Sequence, residues 1–433
     1  MIDPTLLLAA AAEGEHAPVD FTTLGLVIFI ATLVAIATRR IGLPYSVGLV
    51  IAGFGIALTP IGVDLQLTPA LVFELLLPPL LFEAAIQIPW KNLRRELPLL
   101  LSLVTVGVVA AATLVAIGMH YLVGWGWLGA AFFGVLIAAT DPVSVIATFK
   151  ENKVDHRLHL LVESESLLND GVAAVLFALL VGVAIAGGTE GIGVGTVALD
   201  VARIAGGGVI VGLIVAGALL LIAGRTEDKL VEISLTMLAA YGSFLAAEHL
   251  GMSGVLATVA AGIMVGNVGW LGSISDEGRG AVLSFWDYAA FLANSFVFIL
   301  IGDGEASPTL IAAIPIAVVA TLLSLAGRAV AIYPLTLGWA KTKLAMPWKY
   351  KHVMFWGGLR GALSLALALS IPAVVPERSA IISAAFLVVA FSIFVQGITM
   401  PMLLNRLDLI RGEGEGDDCE RTEDEGAREN WHV

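Results

Sequence analysis

Apolar blocks, each about the length of a bilayer-crossing helix, follow one another from residue 21 to residue 405 and leave little else the chain can build. They fall near 21–38, 44–61, 67–89, 97–119, 127–149, 160–186, 204–223, 230–248, 252–270, 284–301, 308–338, 352–372 and 379–405. Many exceed the ~18 residues that read as a span, and they are solid blocks, not periodic stripes. Only 14% of the 433 residues are charged and 58% are hydrophobic. A soluble domain of this length carries roughly a quarter charged residues. The expected fold class is an all-α polytopic membrane protein of about thirteen transmembrane helices.

The termini differ from this body. From Gly412 the chain turns polar and acidic, with Glu413, Glu415, Asp417, Asp418, Glu420, Glu423, Asp424 and Glu425 contributing to a net charge of −13. Without apolar periodicity, residues 412–433 read as a disordered, solvated tail, with a regulatory role as the alternative. The single cysteine, Cys419, lies there, so no intrachain disulfide exists. Residues 1–20 hold the apolar run Thr5–Ala12 before Glu13. The run lacks a basic lead, so a polar-flanked stub is favoured over a cleaved signal. No glycine-rich phosphate loop, His/Cys metal cluster or large soluble domain is evident, which argues against an ATP-driven pump.

Lysine and arginine set the orientation. Arg39, Arg40, Lys91, Arg94, Arg95, Lys150, Lys153, Arg157, Arg225, Lys229, Arg279, Lys341, Lys343, Lys349 and Lys351 occupy alternate connections, and the others hold only Arg203 and Arg378. The positive-inside rule then puts the N-terminus outside the plasma membrane and the tail in the cytoplasm. His156 and His159 read as solvated residues of a cytoplasmic connection. Two arginines, Arg328 and Arg360, fall inside the eleventh and twelfth blocks.

Thirteen spans divide as six, a linker and six: repeat one over 21–186, the linker helix over 204–223, repeat two over 230–405, within a transmembrane domain of 21–411. The first six start outside and the second six inside, so the repeats are inverted. Ser46–Gly53 and Ser253–Gly262, each in the second span of its repeat, resemble one another weakly. The fifth spans are more telling. Asp141-Pro142 interrupts block five, because proline removes a backbone donor and disfavours helix before it. Gly357-Gly358-Leu359-Arg360-Gly361 interrupts block twelve by flexibility. Broken helices at matching positions of inverted halves point to a midplane binding site. Gly206-Gly207-Gly208 marks close helix packing.

Carboxylates at membrane depth are costly and by default mark a substrate path or proton relay. Block six carries two, in Glu165-Ser166-Leu167-Leu168-Asn169-Asp170. At about 100° per residue they point roughly 140° apart, so they meet different partners. Glu165 needs a cation, Arg328 first or Arg360 second. Asp170 has no evident permanent partner and can hold a proton or a hard cation, which compete. A cation wants several oxygens. Asp170, the Ser166 hydroxyl, a carbonyl freed near Thr140, and Glu83, after Pro78-Pro79, could supply them; Glu74 lies further out. If the two broken helices cross, Asp141 would offset the positive helix ends and Arg360 the negative ones. Asp141 as a second cation ligand is the alternative.

Thr140-Asp141-Pro142, Glu165 to Asp170, Gly357 to Ala362, Pro78-Pro79 with Glu83, and Arg328-Ala329-Val330 together resemble the NhaP/NHE branch of the monovalent cation/proton antiporters. The resemblance covers all the spans. It implies a dimer domain and a mobile six-helix core, a homodimer, and electroneutral exchange of one sodium (or lithium) for one proton by alternating access. It makes Asp170 the carrier, pairs Glu165 with Arg328, and sets Asn169-Asp170 where electrogenic relatives carry two aspartates. From the breaks themselves we group Asn169 with Asp141 and Arg360 in their support. A potassium/proton exchanger on the same scaffold is the alternative. The partners implied are monovalent cations, protons and lipid, with no cofactor, no enzymatic reaction and no nucleic acid.

Overall fold

The computed structural model describes residues 21–41, 43–57, 71–186, 194–224, 228–269, 274–303 and 308–410, and every regular element among them is helical. The readings of 1–20 and 412–433 fall outside these residues. In hydrocarbon each backbone N–H and C=O must be satisfied inside the protein, and a helix does this within one segment. In chain order we label α1 (Phe21–Ile41), α2 (Tyr45–Ala57), α3 (Leu77–Gln87, entered through a π-helical turn Leu71–Leu76), α4 (Trp90–Val123) and α5 (Trp127–Leu136). Then follow α6 (Val143–Glu151), α7 (His156–Ala186), α8 (Val194–Ala223), α9 (Lys229–His249) and α10 (Gly254–Val268). The last are α11 (Asp276–Asp303), α12 (Pro308–Gly338), α13 (Trp348–Trp356), α14 (Ala362–Leu369) and α15 (Arg378–Arg406). Seven of the described helices are long and apolar enough to cross a membrane, with shorter apolar helices beside them. The protein is a multi-pass membrane protein.

Several helices outrun their apolar blocks. α4 begins at Trp90, where hydropathy places a start near 97, and α8 begins at Val194 where hydropathy places 204. Hydropathy sees only the residues facing lipid or core. A helix continues through charged residues until its end is capped. Lys91, Arg94 and Arg95 share the first turns of α4 with buried Leu93 and Glu96. His156 and His159 likewise belong to the first turn of α7, not to a connection. His156 faces Asn92 and His159 lies 3.7 Å from Glu163. At 31 residues, α7 is about 46 Å long, well beyond the ~30 Å hydrocarbon layer.

The helices pack as two groups. α2 lies along α11, α3 and α8 along α10, and α9 against α8, α10 and α11. In the second group α4 packs on α5 and α12, α12 on α15, and α7 on α5. Small residues permit the close approaches that membrane helices rely on. A side chain at Gly208 or Gly212 of α8 would run into the Ser253 or Ala257 backbone of α10. Gly207 and Gly208 of the glycine triplet thus sit at a tight crossing, while Gly206 faces open space.

Polar clamps secure the second group at both ends. At one end Arg157 of α7 holds Glu96 of α4 through two bonds of 2.8 and 3.0 Å, and its Nη atoms reach the carbonyls of Leu344 and Ala345. At the other, Glu377 accepts from the Gly126 amide at the start of α5 at 2.9 Å. Its neighbour Arg378 donates to the carbonyls of Leu369 and Ile371 at the end of α14, at 3.0 and 2.7 Å. Glu377 and Arg378 each match the dipole of the helix end they meet.

Candidate functional site

The site grows from two apolar helices that are interrupted part-way along their length. α5 ends at Leu136 and α6 resumes at Val143; α13 ends at Trp356 and α14 resumes at Ala362. Pro142 stands as the residue before α6, where its missing donor costs nothing. The two irregular segments touch: the Asp141 amide donates to the Leu359 carbonyl at 2.8 Å. Four half-helix ends therefore meet, two with bare amides and two with bare carbonyls.

Named side chains satisfy these ends. Asp141 Oδ1 accepts from the Val143 amide at 3.0 Å, and the Ala362 amide also bonds this carboxylate, so one aspartate serves both positive ends. Gly361 makes room for it, since a Cβ there would overlap the carboxylate. The carbonyls divide between two arginines. Arg360 Nη1 donates to the carbonyls of Ala138 and Ala139, just past the end of α5, at 3.1 and 2.9 Å. The end of α13 is held instead by Arg328, which donates to Met354 O at 3.2 and 3.0 Å, and by Gln396, which donates to Trp356 O at 3.0 Å. The sequence expectation gave both negative ends to Arg360. The correction arises because Arg328 has donors left over from its carboxylate.

That carboxylate is Glu165. Arg328 Nη1 and Nη2 meet Glu165 Oε1 and Oε2 at 2.7 and 2.8 Å, and the side chains are only 8% and 3% exposed. The fork matches the carboxylate plane, which makes the pair strong and orientation-specific.

The face of α7 turned to the break carries Ser166, Asn169 and Asp170. Ser166 donates to the Thr140 carbonyl. Asn169 Nδ2 donates to the Ala138 carbonyl at 3.0 Å and to the Thr140 hydroxyl at 3.1 Å. Thr140 is thus gripped at both oxygens, and its carbonyl keeps a second lone pair. Asp170 has Asp141, Glu165 and Arg360 as charged neighbours, and the Thr140 backbone beside it. Yet its Oδ1 is buried without a hydrogen bond, as is Asn169 Oδ1. Of the buried side-chain oxygens without partners among the described residues, two belong to these adjacent positions. Such atoms cost about 1–3 kcal/mol each, more when charged, and need an explanation. Two bare acceptors beside a restrained threonine carbonyl can take a proton or coordinate a bare cation.

Glu83 keeps other company. Its Oε1 accepts from Gln87 at 2.5 Å, and its charged neighbours are Lys150, Asp287 and Glu163. Among the described contacts it does not meet Asp170. Glu163 lies seven residues from Asp170 along α7, about 10 Å at 1.5 Å per residue, so Glu83 stands in a second acidic group nearer that helix's start. Glu74 is exposed. Sequence reasoning also missed Ser324, Ser392 and Gln396. Ser392 accepts from the Arg360 amide at 3.0 Å, and Ser324 accepts from its guanidinium. For Ser324 a signal existed, one helical turn before Arg328 on the same face.

Comparison with known proteins agrees with this architecture. A family described as the transmembrane sodium/hydrogen exchanger matches residues 25–406. The Na+/H+ antiporter ApNhaP of Aphanothece halophytica is 39% identical over 406 residues, 92% of this chain and 77% of that protein. The low-affinity Na+/H+ antiporter NhaS1 of Synechocystis is 37% identical over 427 residues, 95% of this chain and 79% of that one. Among solved structures, the antiporter MjNhaP1 of Methanocaldococcus jannaschii superposes with a TM-score of 0.72 over 89% of this chain and 97% of its own, at 21% identity, so the two share a fold. A broken-helix crossing, a carboxylate with a bare buried oxygen beside it, and a family match over residues 25–406 with relatives covering most of this chain place it in the sodium/hydrogen exchanger family.

Proposed function

We propose that this protein exchanges sodium (or lithium) for protons across the membrane, one for one, with cation and proton competing for Asp170. The observation that carries the reading is the pair of unpartnered oxygens, Asp170 Oδ1 and Asn169 Oδ1, beside the held Thr140. Ser166, the Thr140 carbonyl and Asp170 are the proposed cation ligands. Asp141 stays with the helix ends, and Glu83 belongs to the approach. The names of the two relatives, both Na+/H+ antiporters, support the ion assignment.

Charge bookkeeping explains the coupling. Glu165 is neutralised by Arg328, while Asp141 and Arg360 offset opposite helix ends. Asp170 is then the group whose charge changes. Loaded with one monovalent cation or one proton, the site is neutral and crosses without net charge. Unloaded, it is a bare carboxylate in low dielectric, and its transit is disfavoured. Exchange follows without a second carrier. We place the N-terminus outside and the C-terminus in the cytoplasm, count thirteen crossings in two inverted repeats, and assign a homodimer in which α4–α7 and α12–α15 move against α1–α3 and α8–α11.

Proteoliposomes carrying a pH gradient test the reading. Added Na+ should collapse the gradient in the wild type whether or not the membrane potential is clamped, and Asp170→Asn should abolish this. Near wild-type exchange by Asp170→Asn would sink the mechanism. Repeating the assay with K+ separates sodium selectivity from a potassium exchanger.

A further inference from the structure

Arg360 is a buried cation whose hydrogen bonds go to neutral oxygens. Nη1 donates to Ala138 and Ala139, while Nε and Nη2 both donate to Ser324 Oγ, at 3.3 and 3.0 Å. Ser324 is 5% exposed and Arg360 4%. The charged groups around this guanidinium are Asp170 and Glu165 on α7 and Arg328 on α12. Glu165 is occupied by Arg328 and Asp141 by two helix ends. Asp170 is the carboxylate with a bare oxygen.

A guanidinium released beside a carboxylate with one bare oxygen in low dielectric is drawn onto it, because a charge-assisted bond is stronger than one to a neutral oxygen. On Asp170 it would occupy the lone pairs a transported cation must use. The Ser324 oxygen faces two nitrogens at once, which fixes the guanidinium plane and keeps Nη1 on the Ala138 and Ala139 carbonyls past the end of α5. One stripe of α12 therefore governs both buried arginines: Arg328 binds Glu165, and Ser324, one turn earlier, holds Arg360.

We propose that Ser324 is a positioning residue, a tether that prevents Arg360 from competing with the transported cation at Asp170. The inference rests on Asp170 being the carrier. A small cavity lined by Thr321, Ser324, Arg328, Gly358 and Gln396, with room for about one water, leaves space for an added methyl group. Threonine and valine, equal in shape and differing in one hydroxyl, can then be compared at position 324.

The experiment uses the full chain in proteoliposomes and measures initial Na+-driven proton flux against Na+ concentration. Ser324→Val should raise the apparent KM for Na+ about tenfold, the worth of one charge-assisted bond, with Vmax held within about twofold since saturating cation displaces the guanidinium. Ser324→Thr should restore the wild-type KM. An unchanged KM in Ser324→Val, or equal losses of Vmax in the valine and threonine variants, overturns the tether. If the valine variant is not recovered folded, Ser324→Ala against Ser324→Thr gives the same contrast. Absence of flux in the wild type, or wild-type flux in Asp170→Asn, instead removes the carrier reading and the tether with it.

Discussion

Removing either half of the Glu165–Arg328 pair should destabilise the protein, but with opposite sensitivity to pH. The two side chains are 8% and 3% exposed and joined by bonds of 2.7 and 2.8 Å, so each variant leaves a group in a nearly dry site. In Glu165→Ala the remaining arginine cannot give up its proton. It keeps only the Met354 carbonyl, and the loss should be about 3–5 kcal/mol at any working pH. In Arg328→Ala the remaining glutamate escapes by taking a proton. From an ordinary glutamate pKa of about 4.3, protonation costs at most about 3.7 kcal/mol at pH 7 and about 1 kcal/mol at pH 5. The uncapped Met354 carbonyl adds about 1 kcal/mol. Arg328→Ala should therefore lose about 5 kcal/mol at pH 7 and about 2 kcal/mol at pH 5, while Glu165→Ala stays constant. Reversible unfolding by SDS in mixed micelles, referred to the wild type at each pH, measures both. Equal relief of the two variants at pH 5, or relief of neither, would refute the reasoning. The double variant should lose less than the sum, since no charge is stranded.

Other perturbations address the site's supports. Gly361→Ala should displace the Asp141 carboxylate, releasing the amides of Val143 and Ala362, and abolish exchange with folded protein still recovered; retained exchange would show that the contact tolerates a methyl group. Glu96→Gln should weaken its two-bond contact with Arg157 and lower unfolding stability by about 1–2 kcal/mol, and Arg157→Ala, which also gives up the Leu344 and Ala345 carbonyls, should cost less once Glu96 is changed than in the wild type; additive losses in the double-mutant cycle would deny the coupling.

Chemical class at each position was legible because lipid imposes strict rules. An apolar block of span length must be helical, so the helices could be placed. A proline or glycine run inside such a block must interrupt it, and α5/α6 and α13/α14 break where Asp141-Pro142 and Gly357-Gly358 stand. Helix ends were less legible. α4 and α8 begin before their apolar limits because the helical backbone runs on through polar residues, which hydropathy leaves out. Partnerships across long separations were least legible. Glu96 and Arg157 are 61 residues apart, and Arg157 reads from sequence merely as a charge that sets orientation. Glu83 was expected with Asp170 because both are membrane acids; its position four residues before Gln87 on α3 placed it with Asp287 and Glu163 instead.

The sequence alone determined the all-helical membrane fold, the two breaks and the charges that gather at their crossing, since each follows from the cost of exposing a polar group to hydrocarbon. Tertiary structure decided which charge meets which. Two arginines and three carboxylates admit several neutral pairings of similar worth. Packing chose among them, setting Arg328 on Glu165, Asp141 on two helix ends and Arg360 on Ser324, and leaving Asp170 with an open oxygen. Electrostatic attraction in a low-dielectric interior is strong but weakly directional, so the backbone geometry of the crossing fixes the assignment.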